Sequence, residues 1–267
     1  GEVYNHKELR HSLSNKYNFK TKSDTEVILY SYIEYGEKCL NKFIGMFSFA
    51  IYDEFKEKLF CARDRVGIKP FLYYFDNGKF IFGSEINIIL EVLKKTPQVN
   101  LESIRQFIKY LYIPAPNTIF EKINKLSPGC FLVYENNHIN IKKYWKIENH
   151  IGKNYNLDEN EILNKLDNLL NDSIKTRMIA DVNLGSFLSG GIDSSLILYY
   201  MQKNSLKKIN TYTIGFKDLK NFDETFDAKI MSNFYNTNHT EIFINSDIIK
   251  LLPMMVSHFG EPFASPT

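Results

Sequence analysis

Ser189-Gly-Gly-Ile-Asp-Ser-Ser195 lies between two apolar runs, Val182–Leu188 and Leu196–Met201. This order predicts a strand, a glycine turn and a helix, which together present backbone N–H groups and a helix N-terminus to an anion. The two glycines allow close approach of a ligand because no Cβ stands in the way. The serines add hydroxyl donors, and Asp193 adds a carboxylate suited to Mg²⁺ beside phosphates. The heptapeptide predicts a phosphate-binding loop, although an ordinary strand-to-helix turn with a serine cap stays open.

The chain around this loop alternates between helix-like and strand-like patterns. Helices are predicted at 159–177, 194–204, 223–236 and 247–258, and strands at 182–188, 209–215 and 240–244. Such alternation predicts an α/β domain with a doubly wound parallel sheet. The loop then lies at the carboxyl end of the first strand, where such folds bind nucleotides. No Lys follows the glycines, so the loop differs from that of the common P-loop NTPases.

The first half is organised differently, with short strands separated by turn signals such as Asp76-Asn-Gly78. Strands are predicted at 46–52, 58–62, 71–75, 79–82, 130–134 and 139–144, and helices at 5–14, 24–35, 86–94 and 101–110. This pattern predicts an α+β domain built on antiparallel sheet. A polar segment at 146–158 reads as a linker. We therefore expect two domains, at 1–148 and 149–267.

Bulk composition excludes several classes of function. The net charge is +2 over 267 residues, with no basic stripe of the kind that binds nucleic acid. The three cysteines show no paired spacing, which argues against disulfides and zinc and suits a reducing cytoplasm. No long apolar stretch predicts a membrane span. We expect a cytoplasmic protein without nucleic-acid or membrane partners.

Three polar clusters of the first half have both structural and functional readings. Ser23 or Asp24 would cap a helix beginning near Thr25, or a carboxylate there would clamp an α-ammonium group. The residues Arg63-Asp-Arg65 suit a structural ion-pair turn as well as a binding role. His6 alone suggests a packed histidine rather than a catalyst.

Taken together, these clusters resemble the motif set of class II glutamine amidotransferase domains. The motifs occur in the family's order: Gly1-Glu-Val-Tyr-Asn5, Ser23-Asp-Thr-Glu-Val-Ile28, Gly45-Met-Phe-Ser-Phe-Ala-Ile-Tyr-Asp53 and Ala62-Arg-Asp-Arg-Val-Gly-Ile-Lys-Pro70. Combined with the Ser-Gly-Gly loop, which resembles the ATP-pyrophosphatase signature, they are similar to glutamine-hydrolysing asparagine synthetases of the bacterial B type. The resemblance covers nearly the whole chain.

The resemblance implies an incomplete Ntn-hydrolase-like αββα sandwich that hydrolyses glutamine with an N-terminal cysteine. That nucleophile would lie upstream of Gly1, and a later catalytic lysine beyond Thr267, so the chain is expected to be truncated at both ends. The Gly1 backbone N–H would complete the oxyanion hole. Glu2 and Asp24 would hold the α-amino end of glutamine. The arginine-rich turn around Asp64 would serve structure rather than chemistry.

The second domain is implied to be an incomplete ATP-pyrophosphatase domain that uses ATP and Mg²⁺ to adenylate aspartate. The implied nucleotide-binding residues are Leu188, Ser189, Gly190, Gly191, Ile192, Asp193, Ser194, Ser195 and Ile214, with Asp193 and Asp223 as metal ligands. Leu188 and Ile214 would contact adenine through backbone groups. The substrates would be glutamine, aspartate and ATP. Assembly as a homodimer is left open.

Three alternatives are carried forward. A related enzyme could amidate another carboxylate, for example in surface-polysaccharide synthesis. A different class II amidotransferase would fit the first half, but its partner domain would lack the Ser-Gly-Gly-x-Asp-Ser-Ser loop. A non-catalytic descendant would fit the missing nucleophile, although Asp193 and every Ser and Gly of the loop are present.

Overall fold

The structure, a computed structural model, describes residues 1–152, 157–216, 223–244 and 248–264. Its contacts divide the chain into two compact units, Gly1–Lys153 with Leu252–Thr267, and Asn154–Leu251. Residues 153–156 of the predicted linker lie outside the described residues. The sequence-based domain assignment of 1–148 and 149–267 stays a prediction.

The first unit contains nine strands, four α-helices and two short 3₁₀ helices along Gly1–Lys153 among the described residues. The strands are β1 (Glu2–Val3), β2 (Gly45–Met46), β3 (Ser48–Asp53), β4 (Lys58–Arg63), β5 (Leu72–Asp76), β6 (Lys79–Gly83), β7 (Ile123–Lys125), β8 (Cys130–Glu135) and β9 (His138–Lys143). The helices are α1 (His6–Leu13), α2 (Asp24–Tyr35), α3 (Ile86–Leu93) and α4 (Leu101–Tyr110).

All strands of this unit pair antiparallel. One sheet has the order β3-β4-β8-β9, a second has the order β6-β5-β7, and β1 and β2 form a separate ribbon. The antiparallel architecture predicted for the first half is confirmed.

Alternating side chains of β4 divide the core into layers. Phe60 and Ala62 join a cluster with Ile28 and Tyr32 of α2, whereas Cys61 packs with Tyr73 of β5. The far side of the second sheet forms a third cluster, in which Leu72, Tyr74 and Ile123 meet Ile86 and Ile89 of α3. Successive strand residues point to opposite faces, so β4 contributes to both cores. The resulting order is helix, sheet, sheet, helix, which agrees with the expected αββα sandwich.

The second unit contains α5 (Glu159–Arg177), β10 (Gly185–Phe187), α6 (Ile192–Lys203), β11 (Asn210–Phe216), α7 (Thr225–Phe234) and β12 (Asn238–Ile244). Its strands pair parallel in the order β10-β11-β12, which confirms the predicted parallel sheet. One core joins α6, α7 and the sheet through Leu198, Ala228 and Leu188. Thr211 and Thr213 are buried, while Tyr212 and Ile214 on the opposite face are exposed.

A last helix, α8 (Ile248–Phe259), crosses the division between the units. The segment after it belongs to the first unit. The Asn87 side chain donates to the Ser257 carbonyl at 2.8 Å, and Lys125 forms a 2.5 Å ion pair with Glu261.

Two sequence-based expectations need correction. The strand predicted at 182–188 is limited to β10 at 185–187, because Val182 is 76% exposed and lies before the sheet begins. The strand predicted at 46–52 is two strands, since β2 ends at Met46 and β3 begins at Ser48, and the short strands β1 and β7 had no counterpart in the prediction. Their partners are distant in sequence, and two or three residues are too few for a periodic pattern.

The turn after β4 is held by buried polar groups. Asp64 is 1% exposed, and its carboxylate accepts N–H bonds from Val66, Ile68 and Lys69 at 2.9–3.2 Å. The Arg63 guanidinium donates to the carbonyls of Lys69, Leu126 and Gly67. Burial lowers the pKa of Arg63. This geometry fits the structural reading of the arginine-rich turn.

Replacing the buried Asp64 with Ala removes the acceptor of three partly buried N–H groups. We expect Asp64→Ala to lower the free energy of unfolding by about 3 kcal/mol, since unsatisfied buried donors are costly. Urea denaturation measures this loss. Glu102→Gln, at an exposed ion pair with Arg105, is the control and should change stability by less than about 0.5 kcal/mol. Equal small losses in both variants would contradict this role for Asp64.

Candidate functional site

A pocket of about 690 Å³ lies beside β1, β3 and the N-terminus of α2. It brings together the three residues predicted to bind glutamine, Gly1, Glu2 and Asp24. Further lining residues, which the sequence did not single out for binding, include Lys20, Thr21, Ser48 and Tyr52. The pocket is large enough for a free amino acid.

The position of β1 in this pocket depends on two glycines. A Cβ on Gly45 would come within 2.1 Å of the Glu2 carbonyl oxygen, and a Cβ on Gly1 within 2.6 Å of the Met46 carbonyl oxygen. No L-side chain fits at such distances. The paired strands β1 and β2 therefore approach closely only because a glycine lies at each contact. Gly45 is part of β2, and Gly1 directly precedes β1.

The N-terminus of α2 shows which of the two residues caps the helix, and the binding of an α-ammonium group by Asp24 stays a prediction. Ser23 is the N-cap, and its hydroxyl accepts the N–H of Thr25 at 3.1 Å. Asp24 begins the helix, and its Oδ2 accepts the N–H of Val3 at 2.9 Å. Asp24 thus lines the pocket and ties β1 to the helix. Its Oδ1 has only a long contact, 3.5 Å, with the Ser23 hydroxyl, so this oxygen can accept a ligand hydrogen bond.

His6 and the three cysteines are structural. His6 is buried, and its Nδ1 lies 3.0 Å from the Val3 carbonyl. Cys39, Cys61 and Cys130 are buried and unpaired. Burial raises the pKa of all three thiols, that of Cys39 to about 12. A buried thiol of raised pKa is a poor nucleophile at neutral pH.

The Ser189–Ser195 segment forms the predicted strand–loop–helix turn in the second unit. Gly190 adopts a φ of +78°, and α6 begins at Ile192 with Gly191 as N-cap. The first backbone bond of the helix runs from the Ser195 N–H to the Gly191 carbonyl. The N–H groups of Ile192, Asp193 and Ser194 therefore precede the helical ladder and are available to an anion.

Serine hydroxyls support the turn from inside. The Ser194 hydroxyl lies 3.0 Å from that of Ser189 and accepts the Ser189 N–H at 3.3 Å. Ser189 in turn accepts the Gly191 N–H at 3.3 Å. The Ser195 hydroxyl is buried and has no hydrogen-bond partner among the described residues. An unsatisfied buried hydroxyl in such a turn suits a ligand that brings oxygen atoms.

Helix α7 packs directly on the loop. A Cβ on Gly190 would lie 2.5 Å from Asp227 Cβ and 2.7 Å from the Ala228 nitrogen. The glycine is thus required by a close approach as well as by its positive φ. The sequence predicted the need for glycine, but Asp227 was missed because nothing local marks a helix that packs from 37 residues away.

Leu188 and Ile214 differ in what their backbones can offer a nucleotide. The Leu188 N–H donates to the Tyr212 carbonyl at 2.9 Å, and the Leu188 carbonyl accepts the Thr213 hydroxyl at 2.5 Å. Its backbone is thus largely occupied by the sheet. Ile214 lies two residues beyond the last pair of β10 with β11, Phe187 and Tyr212. Alternate strand residues direct their backbone groups to the same side, so the N–H and C=O of Ile214 point where β10 has ended.

The two acidic residues predicted to bind metal occupy different environments. Asp193 is exposed in the first turn of α6. Asp223 is half-buried, and its carboxylate accepts the Thr225 N–H at 3.1 Å before α7. Within the described ranges, no group of three or more His, Cys, Asp or Glu side chains could hold a metal ion. Carboxylate oxygens beside phosphate oxygens are nevertheless the donors Mg²⁺ prefers, so Asp193 fits a magnesium ion that a nucleotide brings.

Comparison with known proteins supports both halves of this description. A model of the glutamine amidotransferase domain matches residues 1–145. The chain belongs to the glutamine amidotransferase family. A second model, of asparagine synthase, matches residues 165–267, which include the whole Ser-Gly-Gly loop.

Curated relatives of this chain are glutamine-hydrolysing asparagine synthetases by name. Asparagine synthetase 1 of Bacillus subtilis is 34% identical over 269 residues, which cover 100% of this chain and 42% of the relative. Asparagine synthetase 3 of the same organism is 32% identical over 93% of this chain and 43% of the relative. A Methanocaldococcus jannaschii protein with an asparagine synthetase name is 35% identical over 98% of this chain and 51% of its own length.

The chain is thus a homologue of glutamine-hydrolysing asparagine synthetases, and it spans about half the length of the curated relatives it matches. No helix among the described residues has both the length and the apolar character needed to cross a membrane.

Substitution of Gly190 tests the close approach of α7. We expect Gly190→Ala to lower stability by more than about 2 kcal/mol and to abolish nucleotide binding, because the methyl group displaces α7 and strains the loop. Gly152→Ala is the matched control, since Gly152 has a φ of +77° but no described residue lies within 4 Å of an added Cβ. The control should lose only about 1 kcal/mol. Thermal unfolding and ATP titration measure both effects, and identical losses would contradict the packing argument.

Proposed function

We propose that this amidotransferase takes part in ATP-dependent synthesis of asparagine from aspartate and glutamine. The observation that carries the proposal is the Ser189–Ser195 turn, with three N–H groups ahead of the helical ladder and an unpartnered buried Ser195 hydroxyl. The names of the relatives support this reaction.

In the proposed first step, glutamine occupies the pocket beside β1. The α-ammonium group of glutamine would contact Glu2 and Asp24, whose carboxylates line this pocket. The Gly1 N–H would donate to the oxyanion that forms when the side-chain amide is attacked. The nucleophile in this proposal is the N-terminal cysteine that the family uses, not Cys39, Cys61 or Cys130, whose burial disfavours the thiolate.

In the proposed second step, ATP binds with its β- and γ-phosphates at the Ser189–Ser195 turn. The N–H groups of Ile192, Asp193 and Ser194 would neutralise phosphate charge, the Ser195 hydroxyl would donate to a phosphate oxygen, and the backbone of Ile214 would contact adenine. Asp193, with Asp223 as a second candidate, would hold Mg²⁺. The ion supplies charge neutralisation to the leaving pyrophosphate.

In each proposed step, one bond forms and one bond breaks at the reacting atom. An aspartate side-chain oxygen attacks the α-phosphorus of ATP and pyrophosphate leaves, which gives β-aspartyl-AMP. Ammonia from glutamine then attacks the acyl carbon, loses a proton, and AMP leaves with the former carboxylate oxygen. The protein contributes positioning and charge stabilisation rather than proton transfer at the phosphorus. The three unpaired buried cysteines support a cytoplasmic setting for this reaction.

Exchange of labelled pyrophosphate into ATP tests the adenylation step in the full protein. We expect exchange only when aspartate is present, because the reversible step needs the acyl acceptor. Asp193→Asn should lower the exchange rate at least about tenfold, roughly 1.4 kcal/mol of barrier. Asp172→Asn, at an exposed position of α5, should leave the rate unchanged.

Two other outcomes of the exchange experiment would contradict asparagine synthesis. Exchange that responds to a different carboxylate would replace asparagine synthesis by amidation of that compound. Failure of exchange with every carboxylate, despite a folded protein, would overturn the enzymatic proposal in favour of a non-catalytic descendant.

A further inference from the structure

One wall of the glutamine pocket is a short segment without regular structure. This wall segment, residues 20–23, precedes α2, and three of its members, Lys20, Thr21 and Ser23, line the pocket. It leads directly into Asp24. The Asp24 carboxylate is held by the Val3 N–H on one side, and the wall segment sets the backbone that enters Asp24 on the other.

Glu26 holds the wall segment from the first turn of α2. Its Oε1 accepts the Lys20 N–H at 2.7 Å, and its Oε2 accepts the Thr21 N–H at 2.8 Å and the Thr21 hydroxyl at 2.7 Å. These hydrogen bonds lower the pKa of Glu26. The Ser-x-x-Glu spacing would suit a capping box in which Glu26 bonds back to Ser23. Here both carboxylate oxygens are committed to the wall segment instead.

Arg10 of α1 holds the same segment from the other side. Its Nη1 donates to the Thr21 carbonyl, and its Nη2 donates to the Ser23 carbonyl at 3.0 Å. The guanidinium also lies 4.5 Å from the centre of the Phe19 ring. The planar guanidinium fork holds two carbonyls in a fixed geometry, which the flexible point charge of a lysine does not impose.

The two side chains act on opposite groups of one segment. Glu26 accepts from its N–H groups and Arg10 donates to its carbonyls, so the backbone on both sides of Thr21 is fixed. Ser23, whose carbonyl Arg10 holds, is also the N-cap of α2. Asp24 is the next residue along the chain and begins α2.

We propose that Arg10 and Glu26 are positioning residues that preform the amino-group subsite of the glutamine pocket by fixing the wall segment ahead of Asp24. This inference rests on the proposed binding of glutamine in that pocket. Neither side chain needs to touch the ligand. Their effect is to hold an acceptor in place before the ligand arrives, which lowers the ordering cost of binding.

The test compares two ligands by calorimetry in the full protein whose proposed nucleophilic cysteine is replaced by Ala, so that glutamine binds without being hydrolysed. L-Glutamine carries the α-ammonium group, and glutaramate is the same molecule without it. Wild type should bind glutamine more tightly, and Arg10→Met or Glu26→Ala should reduce this preference at least about tenfold, roughly 1.4 kcal/mol of binding free energy. Arg10→Lys and Glu26→Gln, which each keep part of the contacts, should restore an intermediate preference.

Two further measurements separate positioning from a general loss of structure. Arg105→Met, at an exposed ion pair of α4, should keep the wild-type preference. Hydrogen exchange of the Lys20 and Thr21 amides should accelerate in Glu26→Ala, while the amides of β4 stay protected.

The failures of the two proposals are distinguishable. Wild-type protein that binds no glutamine overturns both the proposed function and this role. Wild-type protein that prefers glutamine, with the same preference in Arg10→Met and Glu26→Ala, overturns only the positioning role. Equal weakening of both ligands in the variants also overturns it, because the contribution would then be general to the pocket.

Discussion

Both candidate sites depend on places where two backbones come too close for any side chain. At β1 and β2, a Cβ on Gly45 would lie 2.1 Å from the Glu2 carbonyl oxygen. At the phosphate loop, a Cβ on Gly190 would lie 2.5 Å from Asp227 Cβ. The first approach sets the ribbon that carries Gly1 and Glu2 into the pocket, and the second fixes the turn from which α6 starts. Glycine is needed at these positions because it permits contact between backbones. The groups predicted to bind ligands lie beside these contacts.

The charged side chains of the two candidate sites and of the turn after β4 fall into two groups by what they bind. Asp64, Arg63, Arg10 and Glu26 have their polar atoms committed to backbone groups of neighbouring turns. Asp24 belongs to both groups, because its Oδ2 accepts the Val3 N–H and its Oδ1 is open to the pocket. Asp193 is exposed at the start of α6. The first group builds the walls, since buried or loop backbone needs partners, and the second retains acceptors for ligands.

The sequence predicted the elements whose signals are local. Helix α2 and its Ser23 cap, the hairpin across Asn77-Gly78 and the strand–loop–helix around Gly190 all follow from patterns within a few residues. The parallel sheet was predictable from alternating elements. The strand β1 was missed, and β2 was merged with β3, because the pairing of β1 with β2 depends on a glycine contact between residues over 40 positions apart. The first strand of the second unit was predicted too long, since the apolar Val182 is exposed rather than paired.

For the candidate sites, the sequence likewise predicted residues with local signals and not the contacts that join different elements. The residues Gly1, Glu2 and Asp24 line one pocket, and the Ser-Gly-Gly loop forms the expected turn. The supporting contacts were not predictable. They are the packing of Asp227 against Gly190, the hydrogen bond from the Thr213 hydroxyl to the Leu188 carbonyl, and the hydrogen bonds from Arg10 to the wall segment. Each joins residues from different elements, and no single stretch of sequence encodes it.

The central claim is that the turn at Ser189–Ser195 binds the phosphates of ATP. A titration of the isotope-labelled full protein with magnesium pyrophosphate, followed through backbone amide resonances, tests it most directly. The account predicts saturable shifts concentrated at the amides of Gly191, Ile192, Asp193 and Ser194. Saturable binding that leaves these amides unchanged, or no binding at millimolar pyrophosphate, would contradict it.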